Sequence, residues 1–69
     1  MLGEALENEI QKIVDTELPE KCRQIFILSR IEKLSNNKIS EVLGISVRTV
    51  ENQIYRAIKI LKNQLKNYL

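Results

Sequence analysis

The sequence predicts an all-α domain of four helices whose last two form a helix-turn-helix. Three observations carry this. Ten Ile, nine Leu and four Val outweigh three aromatic residues among 69. The aliphatic positions recur at helical steps of three and four, with no strand-like alternation, internal repeat or low-complexity stretch. Breakers are scarce, with two Gly and one Pro. A chain of this length supports one core at most, so residues 1–69 read as a single domain.

The first helix is expected over about residues 4–16. Leu6, Ile10, Ile13 and Val14 line one face, and Glu4, Glu7 and Glu9 lie near its start, where negative charge suits the helix dipole. Pro19 marks the next start, because proline is tolerated in a first turn, and Glu20 follows it favourably. The second helix then covers 19–33. Its apolar residues Cys22, Ile25, Phe26, Ile27, Leu28 and Ile31 run nearly all the way round, as in a helix that is central or offers a face to a partner.

Ser35 reads as the N-cap of a short helix over 36–43 that buries Ile39, Val42 and Leu43. Gly44 follows, at the position that takes a left-handed conformation cheaply. Ile45 points inward and Ser46 caps the last helix, over 47–65. Val47, Val50, Ile54, Ala57, Ile58, Leu61 and Leu65 make its buried stripe. Lys66-Asn67-Tyr68-Leu69 has no assigned role and is expected to fray.

Counting excludes many functions. One Cys cannot form an internal disulfide, and zero His with one Cys removes the common structural zinc sites. The missing imidazole also removes the usual acid–base residue and its triads. No enzyme, metal, cofactor or small-molecule substrate is expected. No apolar run approaches the ~20 residues of a membrane span. Met1-Leu2-Gly3-Glu4 lacks the basic start and apolar stretch of a signal peptide. The lone thiol fits a reducing compartment, so a cytoplasmic domain without membrane contact is expected. Cys22 itself reads as a core residue.

The net charge of +2 conceals a split. Residues 1–20 carry six acids and one base, a net of −5, whereas residues 21–69 carry ten bases and three acids, a net of +7. A basic stretch of that kind suits an anionic partner, with nucleic acid the usual one. Residues 36–58 supply the means: short helix, Gly44-Ile45-Ser46 turn, longer helix. A turn of this length sets two helices at a steep angle and lets the second enter the major groove. Ser40 falls where the two helices cross and a small residue is needed.

Leu18-Pro19-Glu20-Lys21-Cys22-Arg23-Gln24-Ile25-Phe26, then Leu34-Ser35, then Ile39 through Asn52 closely resembles region 4 of bacterial sigma factors. The extracytoplasmic-function (ECF) group is the nearest likeness, with wording like its Bacteroidetes members, and the match spans about residues 4–65. The resemblance implies a wingless, winged-helix-like sigma-4 domain that reads the promoter −35 element. It also implies docking on the flap of the RNA polymerase β subunit and an anti-sigma factor as a further partner. Such a factor also needs a domain that melts the −10 region, so the chain is expected to be an excised fragment. Two positions depart from the pattern. Ser40 stands where many relatives have Ala, and Lys38 stands at or beside an acidic capping-box position.

The candidate DNA contacts lie opposite the buried stripe of the last helix. Arg56 suits guanine edges or phosphate, and Asn52, one turn earlier, suits adenine. Tyr55 can pack on a thymine methyl or a sugar, and Glu51 can accept from cytosine N4. Arg48 and Thr49 sit in the first turn, near the backbone or the outermost bases. Lys38, Lys59 and Lys62 are phosphate-contact candidates. Ile27, Leu28 and Ile31 are candidates for a protein-partner surface. Two alternatives stand beside this reading. One is the output domain of a LuxR-type response regulator, and the other is a helical protein-interaction module that binds no DNA.

Overall fold

A computed structural model describes residues 2–66, with side chains from residue 8 onward. The side chains of Glu4, Leu6 and Glu7, and residues 67–69 with their expected fraying, lie outside the described residues. The described residues form four helices, α1 (Leu2–Glu17), α2 (Glu20–Arg30), α3 (Asn36–Leu43) and α4 (Val47–Leu65).

Helix α1 starts at Leu2, two residues earlier than the apolar pattern marks. A first turn needs no apolar position, and Gly3 there costs only about 1 kcal/mol of helix propensity. The helix ends ahead of Leu18, since the residue before a proline is pushed from helical to extended backbone. Arg23 Nη1 donates to the Asp15 carbonyl at 3.1 Å, supplying a partner for the last turn.

Pro19 is the N-cap of α2, with φ −56° and ψ 151°, rather than its first helical residue. The extended ψ fits the approach from Leu18, and the Pro19 carbonyl still takes the Arg23 N–H at 2.8 Å. The other end differs more. The helix expected to reach Lys33 stops at Arg30. The Ile27 carbonyl accepts both the Ile31 N–H (2.9 Å) and the Glu32 N–H (3.1 Å), which opens the last turn. Leu34 then folds back, its N–H donating to the Leu28 carbonyl at 3.0 Å, and its side chain joins the core. This return requires a left-handed residue, and Lys33 supplies it with φ 58°. Burial of Leu34 therefore ends α2 early and leaves Ile31 62% exposed.

Two clusters share α2. Ile13, Val14 and Leu18 meet Cys22 and Phe26 of α2 and Ala57 and Leu61 of α4. On the other side of α2, Ile25 meets Ile39 of α3 and Val50 of α4, with Leu28, Leu34, Leu43, Ile45 and Ile54 around them. Serving both clusters is why α2 is apolar nearly all round. Helix α4 packs against each of the other three helices. Its first half lies on α3 and its second half on α1, where Gln64 Nε2 donates to Glu17 Oε1 at 3.1 Å. The only buried cysteine donor, Cys22 Sγ, reaches the Gln53 carbonyl at 3.3 Å and ties α2 to the middle of α4.

Val42, expected in the core, is 55% exposed. With eight residues, α3 presents one row inward, Ile39 and Leu43, and Val42 falls off that row onto the outer side. At the end of α3, Gly44 has φ 66° and ψ 36°, and its N–H bonds to the Ser40 carbonyl. A Cβ at Gly44 would meet nothing within 4 Å, so a side chain there costs backbone strain and no clash. Gly44→Val is expected to lower stability by about 1–3 kcal/mol, because a β-branched residue resists positive φ. Urea unfolding followed by circular dichroism measures this; an unchanged midpoint contradicts it.

Candidate nucleic-acid interface

The turn positions the interface. Ser35 caps α3 by accepting the Lys38 N–H at 3.1 Å, and Ser46 caps α4 by accepting the Thr49 N–H at 3.1 Å. Both caps place a hydroxyl where a first-turn donor would otherwise lack a partner. The next N–H groups of α4, those of Val47 and Arg48, point out along its axis, in the arrangement that attracts phosphate.

At about 100° per residue, the buried positions Val50, Ala57 and Leu61 define the inner side of α4. Lys59 lies opposite them, with Arg48, Asn52 and Tyr55 close to it around the helix. Thr49 and Arg56 form one flank of this face, and Glu51 and Lys62 the other. All eight are exposed, and Tyr55 leaves 69% of its surface in solvent. An aromatic ring so exposed, and in neither core cluster, has no packing role inside the domain.

The flanks differ. Burial pushes the Cys22 thiol above the usual cysteine range, and the positive charge of Arg56 acts against that rise. Arg56 lies one turn beyond Gln53, whose carbonyl accepts from Cys22 of α2. Thr49 is partly committed, since its Oγ1 shares a 2.9 Å hydrogen bond with Ser46 Oγ. Lys38 projects from α3 with its Nζ 3.9 Å from Glu41 Oε2, both side chains largely exposed. Such a pair contributes little and leaves Lys38 free to turn to a phosphate. Glu17 of α1 meets Gln64 near the far end of α4, away from the turn.

The apolar candidates separate. Ile27 and Leu28 line an open groove of about 500 Å³ together with Glu20, Arg23, Gln24, Glu32 and Leu34. Ile31 is not part of its lining. Sequence reasoning missed Leu34 here because nothing local signals that the chain folds back after α2. Among the described residues no group of three or more Cys, Asp or Glu side chains comes together as a metal site. Among them, too, no helix is long and apolar enough to cross a membrane.

Comparison with known proteins adds the following. The family described as "Sigma-70, region 4" matches residues 16–61. The chain is 39% identical over 62 residues to the ECF RNA polymerase sigma factor SigW of Bacillus subtilis, covering 90% of this chain and 33% of that protein. It is 39% identical over 49 residues to the RNA polymerase sigma factor SigV of the same organism, covering 71% and 30%. The ECF RNA polymerase sigma-E factor of Haemophilus influenzae is 35% identical over 67 residues, covering 93% and 35%. The chain thus spans about a third of the length of these relatives. They lend no support to a particular likeness to Bacteroidetes. No solved structure gives a significant match.

Proposed function

The chain belongs to the sigma-70 region 4 family, and on that premise we propose that it reads the promoter −35 element through the outer face of α4. The response-regulator alternative falls with that membership. The observation that carries the proposal is the set of exposed side chains on α4 with no role in the core: Arg48, Asn52, Tyr55, Arg56 and Lys59. A helix-turn-helix presents its second helix to the major groove, where a face about this wide meets base edges in its centre and phosphates on its flanks.

In this reading Asn52 bonds adenine, with Arg56 and Tyr55 on either side of it. Glu51 accepts from cytosine N4, and Arg48 and Thr49 engage the backbone or the outermost bases. Lys38, Lys59 and Lys62 hold phosphates. The groove on α2, with its apolar floor of Ile27, Leu28 and Leu34, takes the β flap of RNA polymerase, and an anti-sigma factor competes for part of the same surface. Ile31 adds an apolar contact beyond the groove. The domain acts by binding alone, in the cytoplasm, as one part of a longer initiation factor.

Two substitutions separate base reading from phosphate anchoring. Arg56→Ala is expected to cost about 1–3 kcal/mol on the cognate −35 duplex and much less on scrambled DNA. Lys62→Ala, almost two turns further on, is expected to weaken both duplexes alike and to lower the salt slope by about one unit. Fluorescence anisotropy on both duplexes at two salt concentrations reads this, with circular dichroism as the folding control. Equal losses for Arg56→Ala on the two duplexes would remove it from the base-reading set. A chain that binds neither duplex would favour the protein-interaction alternative.

A further inference from the structure

We infer that Ser40 is a positioning residue for the DNA-reading helix, an inference that rests on the promoter-binding reading above. Serine inside a helix ordinarily turns its hydroxyl back to a carbonyl one turn earlier. Ser40 instead reaches forward across the turn, and its Oγ–H donates to the Ile45 carbonyl at 2.5 Å. The Ser40 carbonyl accepts from the Gly44 N–H, and from the Ile45 N–H at 3.2 Å. Ile45 is thus held at both its N–H and its C=O by one residue of α3.

The consequence passes directly into α4. The Ile45 carbonyl and the Ser46 N–H belong to one rigid peptide unit. Ser46, with φ −74° and ψ 154°, is the residue from which α4 departs, and its hydroxyl caps the first turn. The Ile45 side chain, packed beside Ile25, Ile39 and Val50, sets the depth of the turn. The Ser40 hydroxyl sets the rotation of the peptide plane, and with it the direction in which Arg48 and Asn52 are presented. Packing alone leaves that rotation open, because a half-buried isoleucine can keep its contacts while the plane turns.

Ser40→Ala isolates this role. Alanine fits the helix crossing and has the higher helix propensity, so the fold should stand with little change in melting temperature. Two readouts follow: residual dipolar couplings, which report the angle between α3 and α4, and the affinity ratio between a duplex enriched from a random library by the unaltered chain and its scrambled counterpart. The ratio is expected to fall roughly tenfold, the weight of one mis-aimed base contact. Affinity for scrambled DNA and the salt slope should hold, and the couplings of α4 should shift relative to those of α3. Ser40→Thr, which keeps the hydroxyl, should recover most of the ratio. An unchanged ratio in Ser40→Ala, or a Ser40→Thr variant no better than Ser40→Ala, overturns the inference. If the unaltered chain prefers no duplex, the promoter reading fails on its own. The couplings then decide the role of Ser40: a reoriented α4 supports it and an unmoved α4 overturns it.

Discussion

Ile25→Ala is expected to leave a large share of the chain unfolded at room temperature. Ile25 has no exposed surface and stands where α2 meets Ile39 of α3 and Val50 of α4. Removing its side chain loses transfer free energy and leaves a cavity, together about 2–5 kcal/mol. A core in a chain this short supplies only about 3–5 kcal/mol in total. The loss is therefore comparable to the whole stability. It also strikes the cluster that holds the turn, since Leu43, Ile45 and Ile54 all pack around the same three residues. Ile31→Ala is the matched control. Ile31 directly follows the same helix and is 62% exposed, so its loss should stay within about 0.5 kcal/mol. Urea titration of both variants by circular dichroism gives the comparison. An Ile25→Ala variant with an unshifted midpoint would mean that the second cluster does not hold the domain together.

The second large effect is on binding. With about five phosphates neutralised, log K for DNA should fall with a slope near −4.5 against log salt. Raising salt from 50 to 200 mM then weakens binding roughly 500-fold. The basic residues that can meet phosphate on the presented side are Lys38, Arg48, Arg56, Lys59 and Lys62, and all are exposed. Glu17 of α1 meets Gln64 near the far end of α4, more than a Debye length from Arg48 at the turn. Few of the same residues read bases, so binding by the separate chain should be weak at physiological salt. Anisotropy with a scrambled duplex over a salt series tests both statements. A flat series, or tight specific binding by the lone chain, contradicts them.

Much of the fold was legible because it is written locally. Ser35, Gly44 and Ser46 act within a turn of their own positions, so their chemistry alone announces two caps and a left-handed residue. The stripe Val50, Ala57, Leu61 is likewise a property of one helix. What was not legible depends on the company a residue keeps. Ile31 continues the apolar pattern of α2, yet it is outside the helix and exposed, because Leu34 is drawn inward and Lys33 takes a conformation that lysine rarely adopts. Val42 looks like Leu43 in sequence and differs only in which neighbour stands opposite.

The candidate site divides in the same way. The outer face of α4 follows from helical spacing, so Arg48, Asn52, Tyr55 and Lys59 could be named from sequence. The engagement of Thr49 with Ser46, the pairing of Lys38 with Glu41, and the reach of Ser40 to Ile45 are side-chain choices among several open to those residue types. Only the last has a sequence signal, a serine where a helix crossing needs merely a small residue.

Amide chemical-shift mapping tests most directly whether α4 is the DNA-reading element. A mixed-sequence duplex is titrated into the ¹⁵N-labelled chain at low salt. The amides of Ser46, Arg48, Asn52, Tyr55, Arg56 and Lys59 should move, joined by Lys38, while Ile27, Leu28 and Leu34 in the α2 groove stay in place. Shifts confined to the groove or to α1, with the outer face of α4 unmoved, would contradict it.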